Sequence, residues 1–521
     1  MIDKKEAVDM QQDTQNMRAD RVVFHTKEEV QLQGRIELEA DQSDIARVIS
    51  VTASVVPDGA QVQNDMLEIS GRLIFEVLYV SEDASDDVAV LQAQSNFRHS
   101  MQTPGSATGM QTRYVIQVED VEEVLENPRT TSLTADVEFA VWVLDTAQLD
   151  MDIQNPQLQV KKQEFAAVET LERQTQAVDI LRQAQLPARA PAVSTVIASD
   201  AFAVVRDVAG TVEGTHVDGE LIVFTAYYDD AQPPQFYTAS FNLPFGFDLE
   251  WEQRGMGENA SVILAVDALE VTPVTDEMGE YRLLDVEARL LANASLWQEI
   301  QLQLPVDAYL PGHQTQLQTK QVMLCRPAAV KNTQRMLRFS VTLPGGYPPM
   351  EQVIFMRARP IVRSVVDTQD AALAVGVLMC DVVYRAQGDA HAIYGFHAAI
   401  PFEERAAFAC CAESLQAKAW CLQASATVLD ETQVDCRVQL EVEFSCMQPH
   451  QTEYVESVRD IAPAQDESAI VMSVATANDD LWSIAKRFNV SLDAVLAANP
   501  KYENKPLCVG DKVILYRRIV S

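Results

Sequence analysis

Three stretches of this chain are versions of one another, and that repetition limits its fold more than any other feature. "RVISVTASVVPDGAQVQNDMLEISGRLIFEVLYV" begins at Arg47, "TVIASDAFAVVRDVAGTVEGTHVDGELIVFTAYY" at Thr195 and "QVIFMRARPIVRSVVDTQDAALAVGVLMCDVVYR" at Gln352. Each opens on Val-Ile, at Val48, Val196 and Val353, spaced by 148 and 157 residues. A glycine follows 23 positions on (Gly71, Gly219, Gly376) and a tyrosine 31 positions on (Tyr79, Tyr227, Tyr384). Leu38, Leu186 and Leu343 keep the same spacings upstream, and Leu243-Pro244-Phe245 matches Ile400-Pro401-Phe402 downstream. A period near 150 residues is too long for a solenoid repeat of about 20–50 residues and is the size of a domain. The expected organisation is three tandem copies of one domain followed by a different module. That suits the three or four domains expected of 521 residues.

The repeats read as β. In "VQLEVEF" (438–444), Val438, Leu440, Val442 and Phe444 alternate with Gln439, Glu441 and Glu443, the period of two of a pleated strand. "LIFEVLYV" (73–80) is a more buried version, rich in β-branched and aromatic residues. "VEFAVWVL" (137–144) and "RLLDVEARLLA" (282–292) hold corresponding places in the first two repeats. Pro104-Gly105, Pro233-Pro234 and Pro344-Gly345-Gly346 punctuate these runs as turns. The fold class is mainly β, three tandem sandwich-like domains. "EFAAVETLERQTQAVDIL" (164–181) has some helical spacing but reads equally as strand and loop. The repeated glycine is expected at a bulge or tight strand entry. The repeated tyrosine is expected to pack, with its hydroxyl at the rim.

The pattern changes after residue 468. "AIVMSVAT" reads as a strand, and Leu481, Ile484, Ala485 and Phe488 form the apolar stripe of a short helix. Asp480 is placed as its N-cap, and Asn489 can end it in a left-handed conformation. Ser491 caps a second helix whose Leu492, Val495 and Leu496 face inward, Asn499-Pro500 ends it, and "GDKVILY" (510–516) closes as a strand. The boundaries are thus an acidic N-terminal segment at 1–30, β-rich repeats at 31–160, 161–315 and 316–458, a linker at 459–468 and a βααβ module at 469–518.

Composition narrows the function. Asp plus Glu number 76 against 40 Lys plus Arg, a net charge of −36. Nucleic acid is therefore not an expected partner, because phosphate binding needs a basic face. An anionic membrane surface is disfavoured for the same reason. No stretch is apolar for long enough to span a bilayer, and the first thirty residues lack the apolar core of an export signal, so the expected compartment is the cytoplasm. The eight cysteines begin at Cys325, contain no C-x-x-C and place only Cys410 and Cys411 side by side. Small buried hydrophobes are expected, and no metal site. No phosphate-binding loop or nucleophile elbow is present, Gly255-Met256-Gly257 being too short. The seven histidines are scattered, with His391 and His397 the closest pair. No catalytic residue and no cofactor are expected.

The core "LWSIAKRFNVSLDAVLAANP" together with "GDKVILY" resembles the LysM family, with Asn478-Asp479-Asp480 where that family usually has Gly-Asp-Thr. The resemblance implies a groove between the loops Ala477–Trp482 and Asn499–Val509. Its candidate contacts for a glycan or a partner are Asn478, Asp479, Asp480, Leu481, Trp482, Asn499, Pro500, Lys501, Tyr502 and Leu507. Three long β repeats ahead of one terminal LysM are similar to the SipL-type spore proteins, whose tandem repeats are the SPOCS domain. That resemblance implies a non-enzymatic role in spore-coat morphogenesis in the mother cell, at the forespore surface. It implies binding to the coat morphogenetic ATPase SpoIVA, largely through LysM. The alternative is a LysM that binds peptidoglycan through its N-acetylglucosamine glycan.

Overall fold

The computed structural model describes residues 17–516, except 41, 83–87, 150, 154, 212–213, 233, 253–258, 369–370, 389–391, 408–414, 464–469 and 504. Gly255-Met256-Gly257, His391, Cys410-Cys411, Pro233 and the second half of the expected linker, 464–468, lie outside the described residues. The chain is mainly β. Its first unit comprises β1 (Arg18–Glu37), β2 (Ile45–Gln63), β3 (Met66–Ser81), β4 (Val88–Gln102), β5 (Gln111–Asn127) and β6 (Thr130–Gln148). The second comprises β7 (Gln159–Gln185), β8 (Thr195–Gly210), β9 (Thr215–Tyr228), β10 (Phe236–Leu249), β11 (Asn259–Val274) and β12 (Leu283–Tyr309). The third comprises β13 (His313–Thr342), β14 (Met350–Asp367), β15 (Ala371–Ala386), β16 (Ile393–Ala407), β17 (Leu415–Asp430) and β18 (Gln433–Pro463). The boundaries drawn at residues 30, 160, 315 and 458 fall inside β1, β7, β13 and β18, because single strands of up to 31 residues run through them. Residues 18–30 are part of the first unit's long strand, and 164–181 is strand throughout.

Every unit pairs its strands antiparallel in the same way. The middle three form one sheet: β2-β3-β4, β8-β9-β10 and β14-β15-β16. The first, fifth and sixth form another: β1-β6-β5, β7-β12-β11 and β13-β18-β17. The outer sheets of the first and third units join through β1 and β13, at Arg21 opposite Leu324. In each unit both sheets contribute to one apolar core, the layering of a β-sandwich. Val438, Leu440, Val442 and Phe444 of β18 all enter the third core. The opposite face of that strand is not given to solvent, since Glu441 is only 1% exposed.

The repeated residues explain this geometry. Val48 pairs with Tyr79, Val196 with Tyr227 and Val353 with Tyr384, and in each case the register slips at the next residue. That residue is Ile49, Ile197 or Ile354. A bulge re-aims one side chain out of its sheet, and all three isoleucines enter one apolar cluster shared by the three units. The repeated tyrosines are buried, and Tyr227 and Tyr384 donate to Pro191 O and Pro348 O. Burial raises all three phenols, Tyr227 and Tyr384 to about 12. The repeated glycines sit directly across from Phe97, Phe245 and Phe402. A Cβ on Gly71 would lie 2.6 Å from Val56 O and 2.8 Å from the Phe97 ring, so the ring packs where only glycine leaves room. A second bulge flanks each glycine, at Asp58, Arg206 and Arg363.

These second bulges help close a ring. Arg206 of the second unit donates to both oxygens of Glu441 in the third at 2.7 Å. Arg363 of the third pairs with Glu119 of the first, and Arg72 of the first with Asp267 of the second. Glu119 and Asp267 are themselves bulged residues. The bulged Asp58 binds Arg72, whereas the bulged Arg206 binds Glu220, so the same position carries opposite polarity in the first two units. Each ion pair thus runs from one unit to the next, cyclically. A second shared apolar cluster takes residues from β1, β7, β12, β13 and β18.

Among the described residues the cysteines depart from the expectation at Cys508, which is exposed, and at Cys446. Cys325, Cys380 and Cys436 are buried and free, but Cys446 is disulfide-bonded. Among the described residues no helix is long and apolar enough to cross a membrane.

Candidate functional site

The C-terminal unit runs β19 (Ile470–Val474), α1 (Leu481–Arg487), α2 (Leu492–Ala498), a short 3-10 turn (Pro500–Tyr502) and β20 (Lys512–Tyr516). Its start signal is local. The Asp480 side chain accepts from Ser483 N at 2.7 Å, and the Ser483 hydroxyl reaches back to Asp480 N, a reciprocal cap that satisfies two free backbone donors. Lys486 and Arg487 occupy the last turn, where cations meet the negative end of the helix dipole. Asn489 then takes φ 56°, the left-handed conformation that ends the helix. Ile484, Ala485, Val495, Val513 and Leu515 form the buried core, with Leu481, Phe488 and Leu492 packed around it.

The chain is joined just outside the two candidate loops. Ala475 N donates to Asp511 O and Gly510 N to Ala475 O, both near 2.9 Å. The candidate residues divide into three groups. Asn499 is 3% exposed; its Nδ2 donates to Val495 O and Ile514 O, and its Oδ1 accepts from Ile514 N. Tyr502 is likewise buried, and Leu507 packs on the core. These three are scaffold, because closing β20 onto α2 uses their side chains.

A second group faces the rest of the protein. Trp482 stacks edge-on against Tyr309 at 5.1 Å and donates Nε1–H to Asp307 at 2.8 Å. Asp307 also holds Lys486. Asp480 pairs with Lys161 at 2.9 Å. The Tyr309 hydroxyl donates to Val490 O at 2.9 Å, and Asn489 Nδ2 donates to His313 O at 2.8 Å. Burial, then Asp307 and Asp493, raise the Tyr309 phenol well above its usual value. Burial opposes the charge on Asp480, but Lys161 and Ser483 outweigh it and lower its pKa. Asp479 is taken internally as well: Arg487, then the Thr476 N–H, hold it at about 2.

Asn478, Pro500 and Lys501 remain exposed, with the Lys501 ammonium 4.4 Å above the Tyr502 ring. Val509, 72% exposed, stands beside them. The outer face of β19–β20 adds exposed Met472, Val474, Ile514 and Tyr516. Residues 470–521 carry seven Lys and Arg against five Asp and Glu, a positive unit on an otherwise strongly acidic chain. The seat on Tyr309 and Asp307 was invisible locally, because "VDAYL" (306–310) has no pattern of its own. The exposed face of β19–β20 was not legible either, because Val513 to Tyr516 are apolar throughout and only the paired strands bury Val513 and Leu515 and expose Ile514 and Tyr516.

The family profile "SipL, SPOCS domain" matches residues 44–125, a stretch that spans β2 to β5 of the first unit. No curated protein matches the chain. The matched domain supports a SipL-type, sporulation-related protein.

Proposed function

We propose that this chain is a non-enzymatic interaction protein of spore-coat morphogenesis, acting in the mother cell at the forespore surface and binding SpoIVA through a C-terminal LysM domain. The observation that carries this reading is the SPOCS match on the first unit, whose bulges, glycine and tyrosine recur at the same register positions in the other two. On this reading the chain is three SPOCS-like domains followed by LysM. The C-terminal unit supports protein binding over glycan binding. Asp480 and Trp482 of the first groove loop are engaged by the body. The open surface is apolar with lysines around it, which suits an acidic protein partner.

The test is substitution on that open surface of the full chain. Val509→Asp and Lys501→Glu are expected to weaken capture of SpoIVA at least tenfold while leaving the circular dichroism spectrum unchanged. Unaltered capture by both variants would refute the assignment.

A further inference from the structure

The two strands of the C-terminal unit form a sheet of their own, and its two edges differ. β19 and β20 pair only with each other, with Met472 opposite Ile514 and Ser473 opposite Val513. In an antiparallel pair, opposed residues alternate between two kinds. Some exchange backbone hydrogen bonds, and the others point N–H and C=O away from the partner strand. Ile514 is of the second kind, because Asn499 takes both of its groups. Asn499 Oδ1 accepts from Ile514 N at 2.9 Å, and Asn499 Nδ2 donates to Ile514 O at 2.7 Å. This side-chain amide closes the outer edge of β20 as a further strand would. By the same alternation the backbone groups of Met472, and of Val474 two residues on, point to the outer edge of β19. Ala475 N, donating to Asp511 O at 2.8 Å, keeps the intervening positions on the inner ladder.

Among the described residues nothing closes the outer edge of β19. No other strand pairs with it, and the Met472 and Val474 backbones have no hydrogen bond on that side. A bare edge is a template for another strand, and proteins guard such edges with charge, proline or a bulge. The β19 sequence, "IVMSV", has no charge or proline, and its register is unbroken. Met472 and Val474 are 59% and 52% exposed, and their apolar face continues across the sheet to exposed Ile514 and Tyr516. Lys512, opposite Val474, stands exposed at one end of that face. A strand laid on this edge meets backbone donors and acceptors, an apolar face and a cation at one end.

We propose that the partner of the C-terminal unit adds one extended segment to the outer edge of β19, with apolar side chains at alternate positions and an Asp or Glu at the Lys512 end. This rests on the reading that SpoIVA binds that unit, and it specifies how SpoIVA is held. Main-chain bonds to Met472 and Val474 supply affinity, and the apolar face selects the alternate side chains of the segment.

The test compares three variants of the full chain in capture of purified SpoIVA. Met472→Pro removes the outward N–H and leaves the β19–β20 bonds in place, a position where an edge strand tolerates proline. It should weaken capture at least tenfold with Tm and the circular dichroism spectrum unchanged. Met472→Val keeps the N–H and an apolar side chain, and should stay within about threefold of the parent chain. Val509→Asp tests the C-terminal surface without touching the edge. Hydrogen exchange carries the test if Met472→Pro does not fold. On binding SpoIVA, the Met472 and Val474 amides of the parent chain should gain at least tenfold protection, while the Ile514 amide, already held by Asn499, is unchanged. Parent-like capture by folded Met472→Pro, or no gain in protection, overturns the proposal; weakened capture by Val509→Asp in the same experiment leaves the SpoIVA reading standing. A parent chain that captures no SpoIVA refutes that reading and this inference with it. A dimer of the full chain alone that Met472→Pro dissociates puts a second copy on the edge and also overturns the proposal.

Discussion

Replacing Arg206 by alanine isolates one link of the ring that joins the three sandwiches. Glu441 is buried to 1% side-chain exposure, and Arg206 gives it two hydrogen bonds at 2.7 Å. Without Arg206 the carboxylate keeps one donor, Gln334 Nε2 at 3.0 Å. Removing one partner of a buried pair costs about 3–5 kcal/mol, mainly through the stranded charge. Arg206 is itself 27% exposed, so water reaches the gap and the lower bound applies, about 3 kcal/mol. The assay is urea denaturation followed by far-ultraviolet circular dichroism. For a unit of this size with a slope of about 2 kcal/mol/M, the third unit's midpoint should fall by about 1.5 M. Replacing both residues, Arg206→Met with Glu441→Met, should restore most of that loss, since well-packed apolar pairs substitute for buried ion pairs. A fall within about 0.5 kcal/mol for Arg206→Ala, the range of ordinary surface changes, would refute the reasoning.

Three further expectations test other links. Gly71→Ala should destabilise the first unit by about 1–3 kcal/mol, measured by the same denaturation, because the added Cβ meets Val56 O and the Phe97 ring. Ile484→Asp should unfold the C-terminal unit, since it puts a charge at a position with 0% exposure; retained protection of the α1 amides in hydrogen exchange would contradict it. The hydrogen bond to Asp381, at 2.7 Å, raises His397 against the desolvation that lowers it, with Glu123 adding to the rise and Arg359 opposing it. A raised folded value means this stabilisation is complete below about pH 6.5 and lost as pH rises through the folded pKa. His397→Gln should therefore flatten the decline in Tm between pH 6 and 9, and an unchanged slope would contradict the assignment.

What the sequence disclosed and what it withheld have physical reasons. Strand content was legible because burial on one face imposes a period of two, as in Val438 to Phe444. The short helices of the C-terminal unit were legible because Asp480, Asn489 and Ser491 act within a few residues of one another. The glycine and tyrosine stood out as spacings, but their roles needed the cross-strand partner: Phe97, Phe245 and Phe402 lie across each glycine, and each bulged isoleucine acts only where three units meet. The candidate groove was half legible. The chain is joined just outside its two loops, at Ala475, Gly510 and Asp511, yet Asn499 serves the fold, and Trp482 serves a seat built from Asp307 and Tyr309, more than 170 residues away. No local pattern encodes a contact at that separation.

We propose that the C-terminal unit brings this protein to SpoIVA and not to the wall. The decisive measurement is a paired pull-down with the full chain and with a chain ending at residue 463, offered purified SpoIVA from the same organism and, separately, purified peptidoglycan. The expected result is that the full chain captures SpoIVA, that the shortened chain does not, and that neither sediments with peptidoglycan. Sedimentation of the full chain with peptidoglycan, with no capture of SpoIVA, would contradict it.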